Sequence, residues 1–337
     1  MSSHTVESRE IRLASRPNGQ PTAENFSLAT TTVGPPGDGE LLVRNTVMSV
    51  EPYMRGRMNA GRSYVPPFEI GGPLSGAAVG TVVASRDPAV PAGATVLHNL
   101  GWREYVVVPA KHVRALEADV PPEMYLSALG TPGFTAWVGL RVIGRVKAGE
   151  TIFVSAAAGA VGSMAVQLAK RWGLRVVGSA SSAEKVAFVR ERLGADAAFD
   201  YHDHPLADRL RDAAPDGIDV YFDNVGGEQL EAALDAMRDF GRIIMCGAIS
   251  HYNATSPPPG PHNLGNAVRR RLRLEGFIVS DHRDKQDEFL AEVLPLISEG
   301  ALVLPSTFVE GIANAPEALM SILRPNAHLG KVLVRLA

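Results

Sequence analysis

Cysteine is nearly absent from this sequence: Cys246 is the only one among 337 residues. A disulfide within the chain is therefore impossible, and a structural zinc site built on cysteines is excluded. The segment MSSHTVESRE at the start also lacks the apolar stretch of a secretory signal. Both absences are typical of a reducing compartment, so we expect a cytoplasmic protein.

The sequence also lacks an excess of charge of either sign. It has 33 Lys and Arg against 36 Asp and Glu, a formal net charge of −3. This balance indicates neither nucleic acid nor an anionic membrane as a partner. The uncharged run at residues 151–169 has the length of a membrane span, but its side chains are mostly small and partly polar. A soluble strand, turn and helix explains it better, so we expect no membrane partner.

The pattern of apolar residues changes along the chain. The first third contains short β-rich runs between Pro and Gly turns, which indicates a compact, largely antiparallel β domain. From residue 151 to a sixth strand-like run at residues 272–279, strand and helix patterns alternate, which predicts a doubly wound, six-stranded parallel (Rossmann) sheet of the α/β class. We expect a β-rich domain over residues 1–125, the Rossmann domain over 126–300, and a return to the first domain over 301–337.

Residues 151–185 are the most informative stretch. A strand-like run is followed by small residues, helical spacing and a second short strand-like run, as in a βαβ unit. Set against G-x-G-x-x-G, the turn has alanine at the first glycine position and Gly159 and Gly162 at the others. This pattern after a strand and before a helix favours a dinucleotide site over a merely structural turn. The residues predicted to bind are Ala158, Gly159, Ala160, Val161 and Gly162.

The end of the second strand indicates which nucleotide binds. An NAD site usually has an acidic residue there, about twenty residues past the glycines, for the ribose 2′-hydroxyl. Here the strand runs into Ser181 and Ser182 with no acid, and Lys185 follows. Small polar residues beside a lysine suit a 2′-phosphate, so we predict NADP(H) as the cofactor. Ser182 can also cap the next helix, with Lys185 as a solvated residue of its first turn.

Several motifs together resemble a known family, the medium-chain dehydrogenase/reductases in their zinc-independent branch. The likeness is greatest to prostaglandin reductases, alkenal double-bond reductases and bacterial curcumin reductases, and it covers nearly the whole chain. It implies a GroES-like catalytic domain beside the Rossmann domain. The motifs are LASRP (13–17), PYMRGRM (52–58), GTPGFTA (130–136), AAGAVG (157–162), DNVGG (223–227), CGAIS (246–250), Tyr252-Asn253 and Gly330-Lys331.

An absence supports this branch. Zinc-dependent relatives carry a cysteine and a Gly-His-Glu segment as metal ligands, whereas this chain has GGPLSG at residues 71–76. The nine histidines show no paired spacing typical of a metal site. We expect no metal.

The resemblance implies reduction of a carbon–carbon double bond conjugated to a carbonyl. Hydride goes from NADPH to the β-carbon, charge collects on the carbonyl oxygen as an enolate, and a proton reaches the α-carbon. The protein has to supply a hydrogen-bond donor to that oxygen. Tyr252 matches the tyrosine to which the family gives this catalytic role. Its ring could instead pack on the prolines at residues 257–259.

The resemblance assigns further residues to the two ligands. Tyr53 and Tyr64 are expected to bind substrate, although either could be a core or rim aromatic. Asn224 is expected near the middle of the cofactor or as the residue that closes its turn. His328 stands where the family commonly has an asparagine that reaches the cofactor; its imidazole could donate the same bond, or it could be a surface residue. The remaining implied cofactor-binding residues are Lys185 and Tyr201 around the 2′-phosphate, and Cys246, Ala248, Phe277 and Val279 by their backbone on the nicotinamide side, with the Cys246 side chain expected to pack rather than to react.

Other functions use the same sheet and cofactor. A quinone reductase or an enoyl-thioester reductase is the alternative enzyme, and a non-catalytic NADP(H)-binding redox sensor is the alternative of another class. The family also implies a homodimer, and the apolar run at residues 272–279 is the expected edge strand.

Overall fold

The structure of the protein is a computed structural model that describes residues 5–117, 119–203, 205–324 and 328–336. Within these ranges the chain divides into two compact units. The first unit contains residues 5–126, 306–324 and 332–336, and the second contains residues 127–305 and 328–331.

Strands and helices are numbered in chain order. The strands are β1 (Val6–Leu13), β2 (Phe26–Val33), β3 (Glu40–Ser49), β4 (Ala78–Ser85), β5 (Thr95–His98), β6 (Tyr105–Pro109), β7 (Arg114–Ala115), β8 (Thr151–Val154), β9 (Arg175–Ala180), β10 (Ala197–Asp200), β11 (Ile218–Asp223), β12 (Met237–Met245), β13 (Arg273–Gly276), β14 (Ser306–Glu310) and β15 (Lys331–Arg335). The α-helices are α1 (Tyr53–Arg57), α2 (Thr131–Val138), α3 (Ala160–Arg171), α4 (Ala183–Ala187), α5 (Leu206–Ala213), α6 (Gly227–Ala236), α7 (Asn266–Arg269), α8 (Gln286–Ser298) and α9 (Ala315–Ile322).

Antiparallel pairing organises the first unit. β1 and β2 form a two-stranded sheet, and the larger sheet has the order β14-β15-β3-β4-β5-β7, with β6 paired to β3. One core of this unit contains Met48, Met54, Trp102, Leu319 and Val334. The sequence pattern does not predict β2, because most of its side chains are exposed or half-buried and so produce no alternation of apolar and polar residues.

A six-stranded parallel sheet forms the second unit, and its order is β10-β9-β8-β11-β12-β13. The predicted doubly wound sheet is therefore confirmed. All four side chains of β8 are buried, as expected of a strand covered on both faces. The strand order reverses between β8 and β11, and ligands bind beside the carboxyl ends of the strands at such a point.

Three elements differ from their sequence patterns. The strand predicted at residues 272–279 is shorter: it is β13, Arg273–Gly276, and a 3-10 helix begins at Val279. The apolar run at residues 303–310 forms a strand only from Ser306, as β14, because Pro305 has no N–H for a strand ladder. The helical pattern at residues 183–193 forms α4 followed by a π-helical segment, Phe188–Arg192.

The helices of the described ranges are too short for a bilayer. None of them combines the length and the apolar character needed to cross a membrane. The longest α-helix in this part of the chain is α8, with 13 residues.

Candidate active site

The predicted site residues of the second unit gather at one edge of its sheet. Because the six strands are parallel, their carboxyl ends meet at that edge, where nucleotides bind in sheets of this kind. The residues follow their strands in this order: 158–162 after β8, Ser181 and Lys185 after β9, Tyr201 after β10, Asn224 after β11, Cys246, Ala248 and Tyr252 after β12, and Phe277 and Val279 after β13.

The turn between β8 and α3 keeps strand and helix close together. Gly159 is the N-cap, and Ala160, Val161 and Gly162 form the first turn of α3. A Cβ on Gly162 would lie 2.2 Å from the carbonyl oxygen of Ala156, which is too close for any side chain. The first N–H groups of the helix lack partners within the helix and can bind a phosphate.

A segment distant in sequence is bonded to the same turn. The N–H of Gly330 donates to the carbonyl oxygen of Ala158 at 2.8 Å, and Gly330 forms a β-bridge with Gly159. Gly330 has a φ of 66°, and a Cβ there would lie 2.0 Å from the carbonyl oxygen of Pro305. In the sequence Gly330 is only part of a family motif, whereas the structure shows that it holds the glycine turn.

Ser181, Lys185 and Tyr201 form a group of donors at the ends of β9 and β10. The side chain of Ser181 is buried and hydrogen-bonds to the Tyr201 phenol. Ser182 caps α4, since its hydroxyl accepts the N–H of Lys185 at 3.3 Å. Burial lowers the pKa of the Lys185 ammonium, and the nearby Glu184 raises it in part. A partly desolvated ammonium on α4 and the hydroxyls that follow β9 and β10 are suitable donors for a phosphate.

His328 lies within electrostatic reach of this group. Burial lowers the pKa of its imidazole, and the Lys185 ammonium lowers it further. His328 is also two residues before Gly330, which is bonded to the glycine turn. The structure therefore places this imidazole on the side of the site that carries Lys185.

Asn224 is occupied by contacts within the sheet. Its side-chain Nδ2 donates to the carbonyl oxygen of Ser155 at 2.8 Å, and its backbone N–H donates to the Ser155 hydroxyl at 2.9 Å. These bonds join the turn after β11 to the end of β8. Ser155 was not predicted from the sequence, although a hydroxyl at the end of a buried strand is a signal that could have found it.

Tyr252 ends a short loop after β12 and is half-buried. A Cβ built on Gly247 would lie 3.3 Å from its hydroxyl oxygen, so the phenol lies against the backbone of its own loop. Burial raises the pKa of Tyr252, and a hydrogen bond from the backbone of Ala248 opposes part of this rise. The phenol is therefore neutral at neutral pH, and its oxygen accepts a bond that leaves its proton for another acceptor.

The other residues predicted on the nicotinamide side lie after β12 and β13. Burial raises the pKa of the Cys246 thiol to about 12, with a contribution from the Asp223 carboxylate. Cys246 is thus a neutral thiol, the less reactive form of this side chain. Phe277 and Val279 are half-buried and follow the end of β13.

Tyr53 and Tyr64 belong to the first unit and lie near one another. Tyr53 begins α1, and burial raises the pKa of its phenol, with contributions from the Glu51 carboxylate and from Tyr64, whereas Arg57 lowers it. The Arg57 side chain hydrogen-bonds to that phenol. Tyr64 is 60% exposed, so it is a surface residue of this unit rather than a core aromatic.

The residues at the sheet edge fit NADP(H). The glycine turn offers helix N–H groups for a pyrophosphate, and Lys185 on α4 with the hydroxyls of Ser181 and Tyr201 offers charge and donors for a 2′-phosphate. No acid follows directly on β9 to bind a ribose 2′-hydroxyl. Among the described residues, no group of three or more His, Cys, Asp or Glu side chains could hold a metal ion.

Comparison with known proteins gives matches to most of the chain. Residues 9–116 match the family described as the N-terminal domain of oxidoreductase, and residues 160–299 match the zinc-binding dehydrogenase family. The NADPH-dependent curcumin reductase of Escherichia coli (strain K12) is 41% identical over 96% of this chain and 96% of its own. The NADP(+)-dependent 2-alkenal reductase of Nicotiana tabacum is 38% identical over 98% of this chain and 97% of its own. The crystal structure of CurA from Vibrio vulnificus in complex with NADPH has a TM-score of 0.92 and 38% identity, covering 98% of this chain and 99% of that chain.

Proposed function

The chain belongs to the medium-chain dehydrogenase/reductases, in the zinc-independent branch of the curcumin and alkenal reductases, and on that premise we propose that it reduces α,β-unsaturated ketones and aldehydes with NADPH. It is an oxidoreductase that acts on carbon–carbon double bonds. The observation that carries the finer proposal is the neutral, half-buried Tyr252 phenol at the sheet edge where the cofactor-binding residues gather.

The parallel-sheet unit would hold the cofactor. The glycine turn (158–162) would bind the pyrophosphate, and Ser181, Lys185 and Tyr201 would bind the 2′-phosphate, with His328 beside them. Asn224 would support the central part. The backbone of Cys246, Ala248, Phe277 and Val279 would line the nicotinamide side. When bound, NADPH supplies the hydride that the β-carbon of the substrate accepts.

Tyr252 would act on the oxygen of the substrate. As the π electrons of the double bond shift toward the carbonyl, negative charge collects on that oxygen, and the Tyr252 hydroxyl donates a hydrogen bond to it. The bond from Ala248 fixes the phenol oxygen before substrate arrives, so little reorganisation is needed. A proton then reaches the α-carbon and yields the saturated carbonyl. Tyr53 and Tyr64 are proposed as substrate-binding residues.

The proposed reaction is tested with the purified protein and four substrate classes: an enone, an enal, a quinone and an enoyl thioester. NADPH consumption is followed for each, with NADH in parallel. We expect turnover of the enone or the enal and a preference for NADPH. Turnover of the quinone or thioester alone would favour the alternative reductases, and NADPH binding without turnover would favour a redox sensor.

We also propose a homodimer. β13 is the last strand of its sheet and has β12 as its sheet partner among the described strands. Phe240 is 66% exposed and Val268 is 80% exposed in the segments next to it. An open strand edge with exposed apolar side chains favours a second copy as the partner. Light scattering during gel filtration is expected to give the mass of a dimer, and a monomer at micromolar concentration would contradict it.

A cytoplasmic location is part of the same proposal. The single cysteine is the observation that favours it, because a chain that cannot form an internal disulfide gains nothing from an oxidising compartment. Fractionation of cells that express the protein is expected to recover it with cytoplasmic markers.

A further inference from the structure

Asp223 is a buried carboxylate that the proposed reaction does not use. It ends β11 and is 1% exposed. Its Oδ1 accepts three hydrogen bonds: from the Tyr221 hydroxyl at 2.8 Å, from the N–H of Val225 at 3.0 Å and from the N–H of Gly226 at 2.8 Å. Burial raises the pKa of Asp223, while these bonds lower it. The carboxylate thus fixes the turn that follows the strand, which we call the Asp223 turn (residues 223–227).

The Asp223 turn holds the loop that carries Tyr252. Three successive carbonyl oxygens of the turn accept bonds from four residues of the loop at 246–252. The bonds are Cys246 N–H to Asp223 O at 2.9 Å, Gly247 N–H to Asp223 O at 3.0 Å, Ile249 N–H to Asn224 O at 3.3 Å, Ser250 N–H to Val225 O at 3.2 Å and the Ser250 hydroxyl to Val225 O at 2.6 Å. The position of the loop therefore depends on where the turn places its carbonyl groups.

Close packing adds to these bonds. A Cβ on Gly226 would lie 3.3 Å from the Cβ of Ala248, and a Cβ on Gly227 would lie 3.2 Å from the hydroxyl of Ser250. Both glycines have positive φ, 71° and 53°. The carbonyl oxygen of Asn224 is 3.4 Å from a Cβ built on Gly247, the same position that lies 3.3 Å from the Tyr252 hydroxyl. A rotation of the turn would displace the phenol.

We propose that Asp223 is a positioning residue that acts through Tyr252, by holding the turn on which the catalytic loop rests. The inference depends on the proposed function, in which Tyr252 donates to the substrate oxygen. A change that shifts the phenol by about 1 Å is expected to lower turnover by about 10- to 100-fold, although Asp223 itself does not touch the substrate.

A double-mutant cycle tests this role. The rate of the first turnover at saturating NADPH is measured for the wild type, Asp223→Ala, Tyr252→Phe and the double variant. We expect Asp223→Ala to lower the rate by about tenfold or more when Tyr252 is intact, and by no more than about twofold when it is combined with Tyr252→Phe. Equal losses in both backgrounds would overturn the proposal. No loss in Tyr252→Phe alone would instead overturn the proposed function, so the two failures are distinguishable.

A conservative variant and a spectroscopic measurement separate positioning from general stability. Asp223→Asn keeps an Oδ1 acceptor for the turn and is expected to restore most of the rate. The pKa of Tyr252 is measured by NMR of the ring carbon that bears the hydroxyl. We expect this pKa to fall toward the ordinary value of tyrosine in Asp223→Ala and to stay raised in Asp223→Asn. An unchanged titration in Asp223→Ala would contradict the role.

Asp223→Ala leaves three donors, among them the buried Tyr221 hydroxyl, without their acceptor and can fail to fold. Ser250→Ala is then used in the same double-mutant cycle in place of Asp223→Ala. Ser250 is exposed, and its hydroxyl donates one bond from the loop to the turn. We expect a smaller loss, about threefold to tenfold, that again vanishes when Tyr252→Phe is also present. A loss of the same size with and without Tyr252→Phe would overturn the proposal here as well.

Discussion

Tyr252→Phe is expected to lower the turnover number of the enone or enal reaction by about 100- to 1,000-fold, the usual effect of removing one oxyanion donor. The change removes the hydroxyl, and with it the acceptor of the Ala248 bond, but it keeps the ring and therefore the packing of the loop. The dissociation constant of NADPH, measured by fluorescence, is expected to stay within about threefold, because the lost atom acts on the substrate.

The matched control is Tyr105→Phe, which removes the same atom from β6 in the first unit. We expect the Tyr105→Phe variant to reduce the substrate at the wild-type rate. The pH profile gives a second check. Because the donor has to be protonated and burial raises the pKa of Tyr252, activity should persist at neutral pH and be lost only as pH rises above the ordinary range of tyrosine. Wild-type turnover in Tyr252→Phe would remove the proposed role of the phenol.

Lys185→Gln is expected to weaken NADPH binding by about 10- to 100-fold, because it removes a hydrogen bond between two charged groups. Burial lowers the pKa of Lys185, so the ammonium is less well hydrated than on the surface and gains more from a dianionic phosphate. NADH lacks that phosphate, and its dissociation constant should change by no more than about twofold. The preference for NADPH would then be largely lost.

Both dissociation constants are measured by fluorescence titration. Lys147→Gln is the control, since it removes the same charge from an exposed position of the same unit, and it should leave both constants unchanged. An equal loss for NADPH and NADH in Lys185→Gln would indicate damage to the fold. No loss for NADPH would show that the phosphate binds elsewhere.

The parts of the fold that the sequence predicts correctly depend on local patterns. The buried run of β8, the small residues after it and the helical spacing of α3 lie within about thirty residues, so one stretch contains the whole unit. The cap of α4 by Ser182 is equally local. The length of β13 is less predictable, because Phe277 and Ile278 continue the apolar run while the strand ladder has already ended at Gly276.

By itself the sequence determined the family, the parallel sheet and the residue types at its edge. Gly162 shows why this was possible: the atom that requires glycine is the carbonyl oxygen of Ala156, six residues earlier. Only the tertiary structure shows that the Asn224 amide is bonded to Ser155, 69 positions away in the chain. The same holds for Asp223, which the sequence shows as one letter of a motif. Its three side-chain bonds are to neighbours in the chain, but the loop rests on its turn only once β11 and β12 lie side by side.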